Sequence, residues 1–171
     1  MIGAMTAVIC ILSPLSIQIP VSTVPVSLAS LAIFITVFVL GWKYSTISYL
    51  IYLLLGLVGL PVFSGFGAGF TRLAGPTGGY LIGFIFITVI SGWFIETFQG
   101  KKEMYVLGMV LGTIITYLFG TVWLSQMLGR TFVEGLMIGV LPFLPGDIGK
   151  VVIAVIVGPM LKKRLRHAGI L

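Results

Sequence analysis

Residues 26–60 read VSLASLAIFITVFVLGWKYSTISYLIYLLLGLVGL, an apolar run with one charge, Lys43. A helix that crosses a bilayer needs about 20 apolar residues, range roughly 17–25. The run is therefore too long for one crossing and predicts two, Val26 to Gly41 and Tyr44 to Leu60, joined by a tight turn at Trp42 and Lys43. The same character extends in both directions. Of the 171 residues, 58% are hydrophobic and 8% charged, against about 45–50% and about 25% in soluble domains. Too few polar side chains remain to clothe a water-facing surface, which excludes a soluble enzyme, a disordered chain and a nucleic-acid module.

Further apolar stretches complete the pattern: Met1 to Leu12, Tyr80 to Phe98, Met104 to Gln126 and about Asp147 to Leu161, with a partly amphipathic connection at Met127 to Phe143. The expectation is an all-α integral membrane protein, one domain over 1–171, with six transmembrane helices. Met1 to Leu12 covers only about 18 Å of a core about 30 Å thick. Either residues precede it or the helix bends on past Pro14. Two long outer loops are expected to be structured, one between helices 1 and 2 and one between helices 3 and 4. Pro14 to Pro25, with Ser16, Gln18, Ser22 and Thr23, disfavours helix before each proline. Pro61 to Gly79, rich in glycine and carrying Phe63, Phe66 and Phe70, cannot run as one straight helix. Irregular backbone near membrane depth is tolerated only where protein buries it or a cavity faces it, so this second loop is a candidate binding element.

Charge sets the expected orientation. Lys43, Lys101, Lys102, Lys162, Lys163, Arg164 and Arg166 fall on the side of the two termini, and Arg72, Arg130 and Lys150 on the other. The positive-inside rule then places both termini in the cytoplasm. Glu96, close to Lys101 and Lys102, reads as half of an interfacial ion pair, and Arg130 with Glu134 as a solvated helix pair.

Little catalytic chemistry is available. His167, the only histidine, sits in the basic tail, and Cys10 lies alone in an apolar run, so no histidine-based metal site or nucleophile–histidine pair is expected in the membrane. Gly149-Lys150 is not a phosphate-binding loop, because Leu144 stands where the first glycine belongs and Val151 where Ser or Thr is required. Any active transport must draw its energy from a partner or an ion gradient.

The sharpest feature is Leu144-Pro145-Gly146-Asp147-Ile148-Gly149-Lys150. Asp147 and Lys150, three apart, share a helix face, and ionisable groups inside a span usually mark a site or pathway. A capping aspartate and a lysine that snorkels to the interface would also fit the spacing. Arg72, the only charge in the glycine-rich loop, could hold a carboxylate in its bidentate fork or anchor to headgroups. Tyr80 opens a span, where an interfacial aromatic is expected in any case. Gly3 and Ala7, with Ala4 adjacent, allow close approach of a second helix, either within the chain or from a partner.

Three runs resemble one family. They are Gly56-Leu57-Val58-Gly59-Leu60-Pro61-Val62-Phe63, Gly75-Pro76-Thr77-Gly78-Gly79-Tyr80-Leu81-Ile82-Gly83-Phe84, and Leu144-Pro145-Gly146-Asp147 with Lys150. In order and spacing they resemble the BioY family, the biotin-binding membrane subunits (S components) of energy-coupling factor (ECF) transporters. The resemblance implies a six-helix, multi-pass protein in the cell membrane of a prokaryote, not an enzyme and without a resident cofactor or metal. Its implied ligand is biotin, held in an outward-opening pocket that contains Asp147 and Lys150; Arg72, Tyr80, Gly78 and Ser27 are the further candidate substrate-binding residues. Its implied partners are a transmembrane coupling (T) subunit and two ATPases, with Gly3, Ala4 and Ala7 facing the coupling subunit. Where the family often has Pro-Val-Thr-Leu-Gln-Thr, this chain has Pro25-Val26-Ser27-Leu28-Ala29-Ser30, so Ala29 replaces a side chain able to hydrogen-bond.

Biotin offers two ureido N–H donors, an apolar ring and chain, and a distant carboxylate. An acceptor-only Asp147 suits the N–H groups and a donor-only Lys150 suits an oxygen. Both should sit at one end of the ligand, leaving Arg72 or loop N–H groups for the other. An S component for another small vitamin, or a self-contained secondary transporter, are the alternatives. The internal repeats and paired broken helices common in secondary transporters are not visible here.

Overall fold

One glycine organises the middle of the chain. The computed structural model describes residues 1–18, 20, 22 and 24–169, so Thr23 of the first loop lies outside the described residues. In it, α2 (Ala29–Leu57) is broken at Gly41, where φ is 76° and ψ 178°. That conformation is essentially reserved for glycine. The expected turn at Trp42 and Lys43 is therefore placed one residue earlier, and both side chains belong to the second helical half. The N–H of Trp42 is left without a partner of its own helix, and the Glu96 carboxylate accepts it at 3.2 Å. Glu96 thus caps a helix start. It makes no ion pair with Lys101 or Lys102, because a free backbone donor lies nearer.

The remaining elements are α1 (Ile2–Leu12), the two-residue strands β1 (Ser16–Ile17) and β2 (Val26–Ser27), α3 (Phe70–Ala74), α4 (Gly78–Thr97), α5 (Lys102–Leu128), α6 (Phe132–Gly139) and α7 (Leu144–His167). Ala29–Leu57, Gly78–Thr97, Lys102–Leu128 and Leu144–His167 are long and apolar enough to cross a membrane; α1 is apolar but shorter. The chain is predominantly helical. Its one ribbon pairs Ser16 with Ser27 and Ile17 with Val26, antiparallel.

α2 forms the centre. Ile33, Phe34, Val37, Phe38, Tyr49 and Tyr52 are buried along it. In hydrocarbon each polar group needs an internal partner, and among the buried side chains of the described residues all but the Thr121 hydroxyl have one. Thr6 and Ser48 hydroxyls lie 2.9 Å apart and join α1 to α2, as do Ser13 and Tyr52 at 2.5 Å. Tyr49 donates to the Leu81 carbonyl at 2.6 Å and joins α2 to α4. α4 packs along α5, where Cβ atoms added at Gly79 or Gly83 would come within 2.4 Å of Trp123 or 2.9 Å of Thr116. These small residues let the backbones approach closely.

At one end the two loops are stitched together. The Gly65 N–H, in a 3-10 turn at Ser64–Phe66, donates to the Pro14 carbonyl at 3.1 Å, and the Leu28 N–H to Leu15 at 3.1 Å. At the same end α6 begins with a capping box: Glu134 N–H donates to the Thr131 hydroxyl and the Glu134 carboxylate accepts the Thr131 N–H. Those hydrogen bonds, the backbone one foremost, hold the Glu134 carboxyl below the usual range. Arg130 precedes the helix, so the expected pairing of Arg130 with Glu134 on one helix gives way to the cap. The last helix starts three residues before the expected Asp147, because Pro145 fits the first turn, where its missing N–H costs nothing.

Gly41→Ala tests the break. Its Cβ would fall 1.7 Å from Glu96 Oε1 in a backbone region closed to alanine, so a loss of roughly 1–3 kcal/mol is expected. The measurement is the thermal midpoint in detergent, and an unchanged midpoint would mean that α2 bends without needing glycine.

Candidate functional site

The first turn of α7 places an acid where a helix start favours one. Asp147 lies in that turn, close to the positive end of the helix dipole, and is not the N-cap expected from its spacing; Phe143 holds that position. Lys150 follows on the same face. Its ammonium stands 2.7 Å from Asp147 Oδ1, with both side chains largely withdrawn from solvent (10% and 16% exposed for lysine and aspartate). A charge removed from water costs several kcal/mol unless paired and hydrogen-bonded, and here the pairing extends further. Lys150 also donates to the Ser30 hydroxyl at 3.2 Å, and the Tyr117 hydroxyl donates to Asp147 Oδ2. The result is a chain of four side chains, Ser30–Lys150–Asp147–Tyr117, that links α2, α7 and α5.

The donor and acceptor inventory leaves capacity over. An ammonium has three donors and a carboxylate about four acceptor positions. Lys150 commits two donors and Asp147 two acceptor positions within the chain of contacts. One N–H and two lone pairs remain for something else. They border a hollow of about 60 Å³ between β2, the loop-side ends of α2, α4 and α7 and the middle of α5, with Ser27, Tyr80, Phe84 and Thr116 among its walls. Ligand pockets usually measure about 300–1,000 Å³, so a vitamin-sized guest would have to press this lining outward.

Of the residues singled out from sequence, the structure brings together Ser27, Tyr80, Asp147 and Lys150 around this hollow. Tyr80 is fixed by donating to the Gly139 carbonyl at 3.0 Å, and Ser27 Oγ accepts the Ala29 N–H at 3.2 Å. Arg72 and Gly78 do not line it. Arg72 is exposed on α3, its side chain laid across Gly67. Gly78 is buried where an added Cβ would meet the Leu73 carbonyl oxygen at 1.7 Å, a requirement of packing. Ala29 is buried at the start of α2. Tyr117 and Ser30 are the site residues that sequence reading missed. Tyr117 carried no distinguishing signal, being one of two tyrosines, with Tyr105, in a largely apolar span. Gly3, Ala4 and Ala7 all lie exposed on one side of α1, and Gly3 lines a surface groove with Val39, Leu40 and Tyr44 of α2.

Known proteins resemble this arrangement over nearly its whole length. The BioY family profile matches residues 1–167. A probable biotin transporter BioY of Pyrococcus horikoshii is 37% identical over 161 residues, covering 93% of this chain and 94% of that protein. The biotin transporter BioY of Thermotoga maritima is 38% identical over 150 residues, 86% of each. A crystal structure of the S-component for biotin from an ECF-type ABC transporter superposes with a TM-score of 0.88 at 33% identity, covering 95% of this chain and 88% of that one. On the family match and these identities, the chain belongs to the BioY family.

Proposed function

We propose that this chain captures biotin from outside the cell and serves as the S component of an ECF-type transporter for its uptake. The observation that carries the reading is the Asp147–Lys150 pair, withdrawn from solvent beside a hollow with one donor and two acceptor positions uncommitted. Asp147 takes the ureido N–H groups and Lys150 an oxygen at the same end. Tyr80, Phe84 and Ile87 supply a wall for the apolar ring and chain. Arg72, on the loop stitched to the first loop above the site, makes no ion pair among the described residues and takes the distant carboxylate as the loop closes. Ser27 and Gly78 set the two backbone segments that frame the ligand. Because the hollow is smaller than a vitamin, entry requires the loops around 14–25 and 61–79 to part from it.

The family resemblance implies the assembly, in which two partner ATPases hydrolyse ATP and act through a transmembrane coupling subunit; this chain carries no phosphate-binding motif of its own. The exposed small residues Gly3, Ala4 and Ala7 form the face for that subunit, since a helix can approach them closely. The reading includes a single membrane domain of six crossings, with α1 and the two halves of α2 as the first three. It places both termini on the cytoplasmic side of a prokaryotic cell membrane, where Lys43, Lys101, Lys102 and the basic end of α7 lie.

Two substitutions separate the contributions. Asp147→Asn removes the charge that binds both Lys150 and the ligand, and biotin affinity is expected to fall at least tenfold, roughly 1.4 kcal/mol, with the protein still folded in detergent. Isothermal titration measures it, and wild-type affinity would refute the assignment. Tyr117→Phe removes one hydrogen bond to the carboxylate and leaves its charge, so a loss of about tenfold or less is expected. A loss exceeding that of Asp147→Asn would mean that Tyr117, and not the carboxylate, holds the ligand.

A further inference from the structure

Between α5 and α7, on the outside of the molecule, runs a groove of about 470 Å³ that shares only Thr113, Tyr117 and Asp147 with the hollow. The two helices run in opposite directions and meet where Tyr117 touches Asp147. Away from that contact they leave a cleft lined by Val106, Val110 and Ile114 on α5 and Ile148, Val152 and Ile156 on α7, all exposed. From Tyr117 back to Val106 is about 16 Å along α5, close to half of a hydrocarbon core about 30 Å thick. The cleft is thus about as long as a single acyl chain.

Its far end carries charge. Lys102 lies one turn beyond Val106, and Lys162 and Arg166 follow Val155 at spacings that keep them on the groove side of α7, with Lys163 beside them. These four cations outnumber the single carboxylate there, Glu103. Counting residues from the Tyr117–Asp147 contact along the two helices puts Lys102 and Lys162 at the same depth. That depth is the headgroup level, just outside the span of the groove.

We propose that this groove is a binding site for one anionic phospholipid, with an acyl chain seated between α5 and α7 and its phosphate held by Lys102, Lys162 and Lys163. Basic pockets between transmembrane helices favour acidic headgroups over zwitterionic ones. A second copy of this chain fits poorly, because two copies in one membrane share their orientation. A two-fold contact through this groove would set the basic ends against each other.

The test is native mass spectrometry of the delipidated protein in detergent, titrated with phosphatidylglycerol or with phosphatidylcholine of the same acyl chains. Phosphatidylglycerol is expected to be retained at least fivefold better. The triple variant Lys102→Gln, Lys162→Gln, Lys163→Gln should abolish that preference. Val110→Trp with Val152→Trp, which fills the cleft and leaves every charge in place, should cut phosphatidylglycerol retention at least fivefold, with far-UV circular dichroism reporting the fold. Equal retention of the two lipids overturns the proposal. So does full retention by a folded groove-filled variant, since surface charge alone would then explain binding, and so does a mass of two chains in place of a lipid adduct. The charge variant decides the matter by itself if the groove-filled protein does not fold.

Discussion

A carboxylate and an ammonium held one helical turn apart, away from water, impose the main constraint on this molecule. Neither charge is tolerable alone in such surroundings, where the effective penalty is several kcal/mol per ion. Their attraction offsets part of it, and the dipole of α7 favours the acid and disfavours the base. The rest must come from hydrogen bonds, and two other helices supply them: Tyr117 from α5 and Ser30 from α2. The pair therefore fixes the starts of α7 and α2 against the middle of α5. A site of this kind is stable while empty, and a ligand needs only to compete for the donor and acceptors left over.

The same accounting governs the apolar body. Hydroxyls between helices close bonds that lipid cannot offer, as Thr6 with Ser48 and Tyr49 with the Leu81 carbonyl do. Gly41 shows what happens where the backbone itself must break. Its conformation frees the Trp42 N–H, and Glu96, reaching from α4, takes it. A carboxylate near a basic turn could have paired with lysine in water. At this place a backbone donor that its own helix leaves free outcompetes an exposed ammonium that water already satisfies.

Much of this was legible in the chain itself, for identifiable reasons. Apolar run length defines membrane crossings almost independently of tertiary context, so the segments now seen as α2, α4, α5 and α7 could be marked within a few residues. Asp147 and Lys150 stood out because charge inside an apolar run is costly enough to require a cause. What stayed hidden depends on contacts far apart in sequence. Tyr117 lies 30 residues from Asp147 and Ser30 lies 120 from Lys150, and neither residue type is unusual where it stands. The turn was misplaced by one residue because Trp42 and Lys43 look like an interfacial turn, whereas the deciding quantity is the positive φ of Gly41. The Pro145 start of α7 was legible in principle, since proline suits a first helical turn.

The hollow and the outer groove share a wall. Thr113, Tyr117 and Asp147 border both, so the partition between a polar site and the lipid-facing surface is one side chain thick. Such a partition holds only if its members are fixed. Thr113 is tied to the Met109 carbonyl at 2.8 Å, and Tyr117 to Asp147. The Tyr117 hydroxyl meets the acid, and the same side chain lines the outer groove. One phenol can therefore satisfy two solvents at once, with its polar end orienting the carboxylate and its apolar body closing the membrane side. A smaller residue at that position would open the partition, and a larger one would fill a hollow that is already narrower than a vitamin. Of the three wall residues, Tyr117 is thus the one whose size as well as chemistry is dictated by the site.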